Sequence, residues 1–414
     1  MKVLIVNKFL YYNGGSETYI FELAKELESL GHEVQFFGME HPDRVAGNNV
    51  GAYTSNMDFH GGRLSKLLYP FKIIYSREAR KKIRLVLDDM KPDVVHLNNI
   101  NFQLTPSIIM EIKKWMKDTG ASCRIVSTIH DPQWVCPNHM LINGRTGKGC
   151  TECLGGRYMA CTKYRCIHGS LVKSFIGTVE AAIYRRNNVY RNVDVILCPS
   201  HFMKRTMDHN PDLKGRTVMF RNFLTVSRPN AKEVEDYKRS IGLAEDERYV
   251  LYLGRYSEEK GIHTLVKAAK ALPDIRFIFA GSGPFEEEVD AVSNIKNMGF
   301  VAEKERDMLL SAAEFSLIAS ECYENCPFTV MESLTLGTPV IGADIGGIPE
   351  LIDKGKTGEL YESGNSEELA NTIKALWDDT DKIASYRKNC TEVKYMDLEE
   401  YTKEIVDKYY VNQQ

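Results

Sequence analysis

The chain has no excess of either charge. Its 53 lysines and arginines stand against 56 aspartates and glutamates, a formal net charge of −3 over 414 residues. That balance gives none of the broadly basic footprint of nucleic-acid-binding proteins, and no nucleic-acid partner is expected. Long apolar runs are missing too. No stretch reaches the roughly 20 apolar residues of a membrane-spanning helix. "MKVLIVNKFL" at the N-terminus is apolar only briefly, and no small-residue cleavage site follows. It reads as a first buried strand rather than a signal peptide. Ten cysteines without a secretory signal suggest a reducing compartment, where disulfides are rare. A cytoplasmic protein is the expectation.

What is present is an α/β pattern. "KVLIV" is a β-branched strand, and it runs through "YYNGGSE" into "TYIFELAKELESLGHEV", where apolar positions recur at helical spacing. "EVQFFG", "PDVVHLNN", "SCRIVSTIHD" and "VDVILCPS" are further strands with helical stretches between them. Alternation of this kind predicts a parallel sheet whose ligands lie beyond the carboxyl ends of the strands. Asn7, His96, Asn98, His130 and Ser200 fall just past strand ends. The second half repeats the plan without a strict repeat, in "RYVLYLGRYSEEKGIHTLVKAAKAL", "IRFIFAGSGP", "FSLIAS" and "TPVIGAD". The change of unit falls at 217–230, which reads as a linker. The expected domains are 1–222, with a cysteine-rich insertion at 134–170, and 223–396; the last helix, 397–414, is expected on the first domain.

The stretch "ECYENCPFTVMESLTLGTPV" carries two carboxylates, Glu324 and Glu332. Proline suits a helix start, so a helix is expected from near Pro327 to Gly337. Glu324 would precede it and Glu332 would lie inside it. Free N–H groups at a helix start favour an anion, and carboxylates accept from diols. On spacing alone, two solvated surface glutamates are the more ordinary reading. The neighbours weigh against that. "LGRYSEEKG" sets Arg255 and Lys260 between a strand and a helix, where two cations suit a diphosphate. "DIGGIPELI" offers glycines for close backbone approach before an apolar helix, and "NGGSE" places Gly14 and Gly15 in the first half.

In order, "NGGSE", "STIHD", "YLGRYSEEKG", "FAGSGP", "MGFV", the Glu324-x7-Glu332 pair, "LGTPVIGADIGGIPELI" and "TGELYESGN" resemble the retaining GT-B glycosyltransferases of family GT4. The resemblance is strong over residues 250–362 and weaker before them. "ENCPF" departs from a commoner loop containing glycine and phenylalanine, and "ES" replaces a common Glu-Ala. The resemblance implies two Rossmann-like domains facing each other across a cleft. It implies a nucleotide-diphosphate sugar donor, a UDP-sugar ahead of a GDP-sugar, and a glycan or lipid-linked glycan acceptor. Arg255 and Lys260 would neutralise the diphosphate. Glu324 would hold the sugar hydroxyls, assisted by backbone N–H groups of Cys326, Pro327's neighbour Phe328, and Thr329. Glu332 would hold the ribose, with the base near Gly299 to Val301. Gly14 and Gly15 would admit the diphosphate, and His130 would face the donor sugar and the acceptor. The last of these competes with a plain hydrogen-bonded core histidine.

Three features lie outside that set. Cys136, Cys150, Cys153 and Cys166 would complete a structural zinc site, with Cys161 spare and His139 and His168 as alternates; buried or free thiols are the other reading. The basic stretch 62–84 interleaves Arg63, Lys66, Lys72, Arg77, Arg80, Lys81, Lys82 and Arg84 with apolar residues. It reads either as a peripheral contact with an anionic membrane, at the inner face of the cell membrane, or as a solvated helix face. Asp379 and Asp381 have carboxylate-metal spacing but no strand before them, so no catalytic metal is expected. The rival functions are a catalytically silent nucleotide-sugar-binding subunit and a sugar-nucleotide epimerase.

Overall fold

The computed structural model describes residues 1–55, 74–244 and 246–411. They form two compact units, Met1–Arg221 with Leu398–Gln414, and Asn222–Asp397. Part of the basic stretch, including Arg63, Lys66 and Lys72, lies outside the described residues.

The first unit is built on a six-stranded parallel sheet: β1 (Lys2–Val6), β2 (Glu33–Phe37), β3 (Val94–Leu97), β4 (Arg124–Thr128), β5 (Val195–Cys198) and β6 (Thr217–Met219). Its order is β2-β1-β3-β4-β5-β6. Strands buried on both faces read as unbroken apolar runs, and Val3 to Val6 are fully buried. The helix Gly15–Ser29 returns from β1 with Tyr19, Ile20, Leu23, Ala24 and Leu27 buried, a stripe at helical spacing. The last helix, Leu398–Ile405, is tied to it: Tyr401 and Tyr19 share a hydroxyl hydrogen bond of 2.7 Å.

The second unit has a sheet of the same kind: β7 (Val250–Leu253), β8 (Phe277–Ala280), β9 (Ile295–Asn297), β10 (Phe315–Ile318), β11 (Val340–Ala343) and β12 (Gly358–Tyr361), in the order β12-β11-β10-β7-β8-β9. In each sheet the first strand pairs on one side with the next strand in sequence and on the other with a later one. That reversal lies between β1 and β3 in one unit and between β7 and β10 in the other. It opens the crevice where doubly wound sheets take ligands.

Sequence and structure differ in three strands and one helix. β6 occupies the start of the expected linker, and β9 and β12 are only three and four residues long. β9 (IKN) and β12 (GELY) are half-buried and carry polar residues or glycine, so they lack the apolar run that marks the equally short central strands. "DIGGIPELI" forms only the 3₁₀ turn Ile348–Glu350 rather than a helix, because two glycines and a proline leave too few helix formers to propagate one.

Candidate functional site

The second unit gathers the charged candidates at the carboxyl ends of β7 and β10. The loop after β7 ends in a 3₁₀ turn, Glu258–Lys260, and delivers Lys260 into partly buried space. Its Nζ lies 2.5 Å from Glu324 Oε1, and Ser320 Oγ donates to the same oxygen at 2.7 Å. Burial alone would pull the ammonium pKa down; the Glu324 charge and hydrogen bond outweigh it, and the net shift is upward. Arg255, on the same loop, is exposed and pairs with Glu259 at 3.0 Å.

The position of Glu324 is fixed by glycines. Gly347 N–H donates to Glu324 O at 2.8 Å, and a Cβ on Gly347 would stand 1.8 Å from Asn325 O. No side chain fits there, so the close approach expected of "DIGG" is to the loop that carries Glu324. The helix that follows is Phe328–Thr335, with Pro327 as the extended residue before it. Cys326 is buried, its thiol 3.3 Å from Met331 Sδ. The first-turn N–H groups, Phe328 and Thr329 among them, have no carbonyl within the helix and suit an anion.

Glu332 is not a solvated face residue. It is 8% exposed and meets Arg306 Nη1 at 2.8 Å. Arg306 also holds Asp307 Oδ1 through two nitrogens, at 2.9 and 2.8 Å, while Asp307 Oδ2 accepts from Ser227 N–H at 3.2 Å. Burial raises the Glu332 pKa to about 7, with Arg306 opposing. Arg306 and Ser320 were not legible in the sequence. Arg306 belongs to "EKERDM", which has the composition of any solvated helix. Beyond β9, Gly299 has a positive φ of 63° and its carbonyl accepts from Gly281 N–H at 2.8 Å, so the 299–301 turn is pinned to the strand loop beside it. Val301 packs among the hydrophobic residues of this unit, and Phe300 between them is 85% exposed.

In the first unit His130 follows β4. Its Nε2 lies 2.9 Å from Asn98 Oδ1, and the Tyr19 ring stands edge-on at 5.1 Å. Burial lowers its pKa to about 4, so the imidazole is neutral at pH 7. Asp131, next to it, is raised to about 6 by burial, with Lys8 opposing. Asn7 donates to Glu17 Oε1 at 2.9 Å, and Gly14 and Gly15 open the helix that bears Glu17. His96 belongs to the core instead: Nδ1 is 2.6 Å from Tyr410 OH and Nε2 is 2.8 Å from Thr128 Oγ1. Ser200 caps the helix His201–Asp208 by accepting from Met203 N–H.

Of the thiols expected to hold zinc, Cys136 lies beside Cys153 and near Cys166, Cys150 is close enough to both Cys136 and Cys166 to feel their charge, and the spare Cys161 lies beside Cys166. Among the described residues no group of three or more histidine, cysteine, aspartate or glutamate side chains is placed to hold a metal ion.

Residues 13–228 match the family model described as Glycosyltransferase Family 4, and residues 233–393 match that described as Glycosyl transferases group 1. The N-acetyl-alpha-D-glucosaminyl L-malate synthase of Bacillus anthracis is 24% identical over 86% of this chain and 83% of its own. The putative teichuronic acid biosynthesis glycosyltransferase TuaC of Bacillus subtilis is 28% identical over 45% of this chain and 48% of its own. With several such relatives the chain aligns over less than half of their length. The crystal structure of Anabaena HepE in complex with UDP superposes with a TM-score of 0.68 and 17% identity, over 98% of this chain and 99% of that one. At that identity the likeness shows the GT-B fold, two Rossmann-like domains, and nothing finer.

Proposed function

The chain belongs to glycosyltransferase family 4, and on that premise we propose that it moves a hexose or N-acetylhexosamine from a nucleotide-diphosphate sugar to a glycan or lipid-linked glycan, with retention of anomeric configuration. The observation that carries the reading is the Lys260–Glu324 contact at the ends of β7 and β10. A donor supplies what each partner otherwise takes from the other. Its diphosphate offers the ammonium a negative charge, and its sugar hydroxyls offer the carboxylate donors. Lys260 and Arg255 then stabilise the charge that grows on the leaving diphosphate, a charge-assisted role that needs no catalytic metal. The helix start at Phe328 adds its N–H groups. Glu332, whose ionised form Arg306 favours against burial, accepts from the ribose. His130, neutral, is a hydrogen-bonding group for sugar hydroxyls rather than a cation. In this reading the departing phosphate takes the acceptor proton.

A UDP-sugar is the favoured donor, since the Anabaena structure holds UDP. Cell-surface polysaccharide biosynthesis is the favoured process, given the relative named for teichuronic acid. A thermal-shift panel of UDP, GDP, ADP and their sugars tests the donor. A ligand at 100 times its Kd adds about 2.7 kcal/mol, and no shift with any of them would remove the reading. A silent binding subunit would shift without releasing nucleoside diphosphate. An epimerase would return an altered sugar nucleotide.

A further inference from the structure

The first unit holds a polar cluster that the donor chemistry leaves unused. It forms where the loops after β1, β3 and β4 meet, beside the strand reversal. Lys8 N–H donates to Asn99 O at 2.8 Å, which ties the first loop to the second. The Lys8 ammonium lies 4.8 Å from the Phe9 ring centroid and 5.8 Å from that of Phe102. Phe102 packs against the His139 ring at 5.1 Å, and Asn101 Nδ2 meets His139 Nδ1 at 2.6 Å, which ties the second loop to the third. Phe102 and His139 hold positive φ of 58° and 63°, a conformation that persists in side chains of this size only where their neighbours fix it.

The cluster is held in place but not satisfied. Asn101 is 5% exposed and Gln133 8%, yet among the described residues Asn101 Oδ1 and Gln133 Nε2 have no hydrogen-bond partner. A buried polar atom left bare costs free energy, so native structures keep few of them. Among the described residues no carboxylate bonds directly to the Lys8 ammonium; Asp131 and Glu17 are only near enough for their charge to act on it. Gln133 N–H donates to Asp131 Oδ1 at 2.9 Å and so orients that carboxylate. Asn101 Oδ1 and Asp131 call for a donor, and Lys8 and Gln133 Nε2 call for an acceptor. Sugar hydroxyls meet both demands, because each donates and accepts. An anion fits badly, since it would face two carboxylates for one ammonium. We propose that this cluster binds a neutral sugar through vicinal hydroxyls, with Lys8 donating to them and Asp131 accepting, and that it selects an uncharged sugar as the acceptor end. The role as acceptor rests on the transferase reading; the binding of the sugar does not.

Saturation-transfer difference NMR of the full chain tests this and needs no turnover. The probes are the methyl glycosides of glucose, galactose, mannose and N-acetylglucosamine, with methyl glucuronide as the charged member, each with and without UDP. At least one neutral glycoside should take up saturation, and more strongly than the glucuronide. Lys8→Met and Gln133→Leu should each weaken that binding about fivefold, the worth of one ordinary hydrogen bond. Gln133→Leu should also melt at or above the wild-type temperature, because its Nε2 has no partner to lose; a merely structural glutamine would melt lower when replaced. Both variants should keep the wild-type thermal shift with UDP, since neither residue belongs to the donor site. Uptake by no neutral glycoside, equal uptake by the glucuronide, or unchanged uptake in both variants would overturn the proposal. A UDP shift without sugar uptake would remove this inference and leave the transferase reading standing. Sugar uptake without a shift from any nucleotide would remove the transferase reading and leave the sugar site.

Discussion

Lys260 and Glu324 neutralise each other across 2.5 Å, from the ends of strands β7 and β10. In the proposed reading the donor diphosphate takes the place of Glu324 at Lys260, and the sugar hydroxyls take the place of Lys260 at Glu324. Lys260→Ala should therefore lower turnover by about 10²–10³, the usual cost of removing one electrostatic donor from a transition state. Steady-state release of nucleoside diphosphate measures it. Turnover near wild type would contradict the leaving-group role.

Glu332 gives a pH prediction. Its pKa of about 7 lies above the ordinary carboxylate value, mainly through burial. The ionised form fades as pH falls through about 7, so UDP-sugar affinity should weaken below it and level off above. The sugar diphosphate itself does not titrate there. The same raised value favours the folded state at low pH, and that contribution is lost as pH rises through about 7. In Glu332→Gln the pH dependence of binding should vanish, as calorimetry across that range would show. An unchanged pH profile would remove the ribose assignment.

The strands and the order of motifs were legible because β-branched runs and glycine loops are local signals. Lys260, Arg255 and Glu324 stood out because they follow strands at a loop-to-helix junction. Arg306 and Ser320 did not, since a charge in a polar helix and a serine after a strand acquire meaning only through a partner distant in sequence. His96 follows the same apolar pattern as His130 but is the weaker candidate of the two in the sequence, and Tyr410 and Thr128 enclose it. The cysteine spacing suggested one four-thiol set, and the fold brings its four members near one another with the spare Cys161 among them. Spacing limits which thiols can meet and does not choose among them.

The C-terminal helix contributes to stability of the first unit through buried hydroxyls. Tyr401 is bonded to Tyr19, whose hydroxyl also meets Thr128 at 3.1 Å. Tyr401→Phe should cost about 1 kcal/mol, since Tyr19 keeps Thr128. Tyr401→Ala should cost about 3–5 kcal/mol, because it also leaves a cavity. Denaturant titration checks both, and equal losses would show that cavity formation is not the larger effect.

Charge on the leaving diphosphate is assigned to Arg255 and Lys260, so turnover should persist in EDTA. Activity lost to the chelator and restored specifically by magnesium or manganese would reassign that role.

The central claim is that the site around Lys260, Glu324 and Glu332 cleaves a nucleotide-diphosphate sugar with retention. Incubation of the purified chain with each sugar nucleotide, followed by NMR of the released or transferred sugar, tests it most directly. The account predicts that at least one donor yields nucleoside diphosphate and a sugar first seen in the donor's own anomeric configuration, and that Lys260→Ala loses this product. A sugar that first appears with the inverted anomer, or a folded wild-type chain that cleaves no donor, would contradict it.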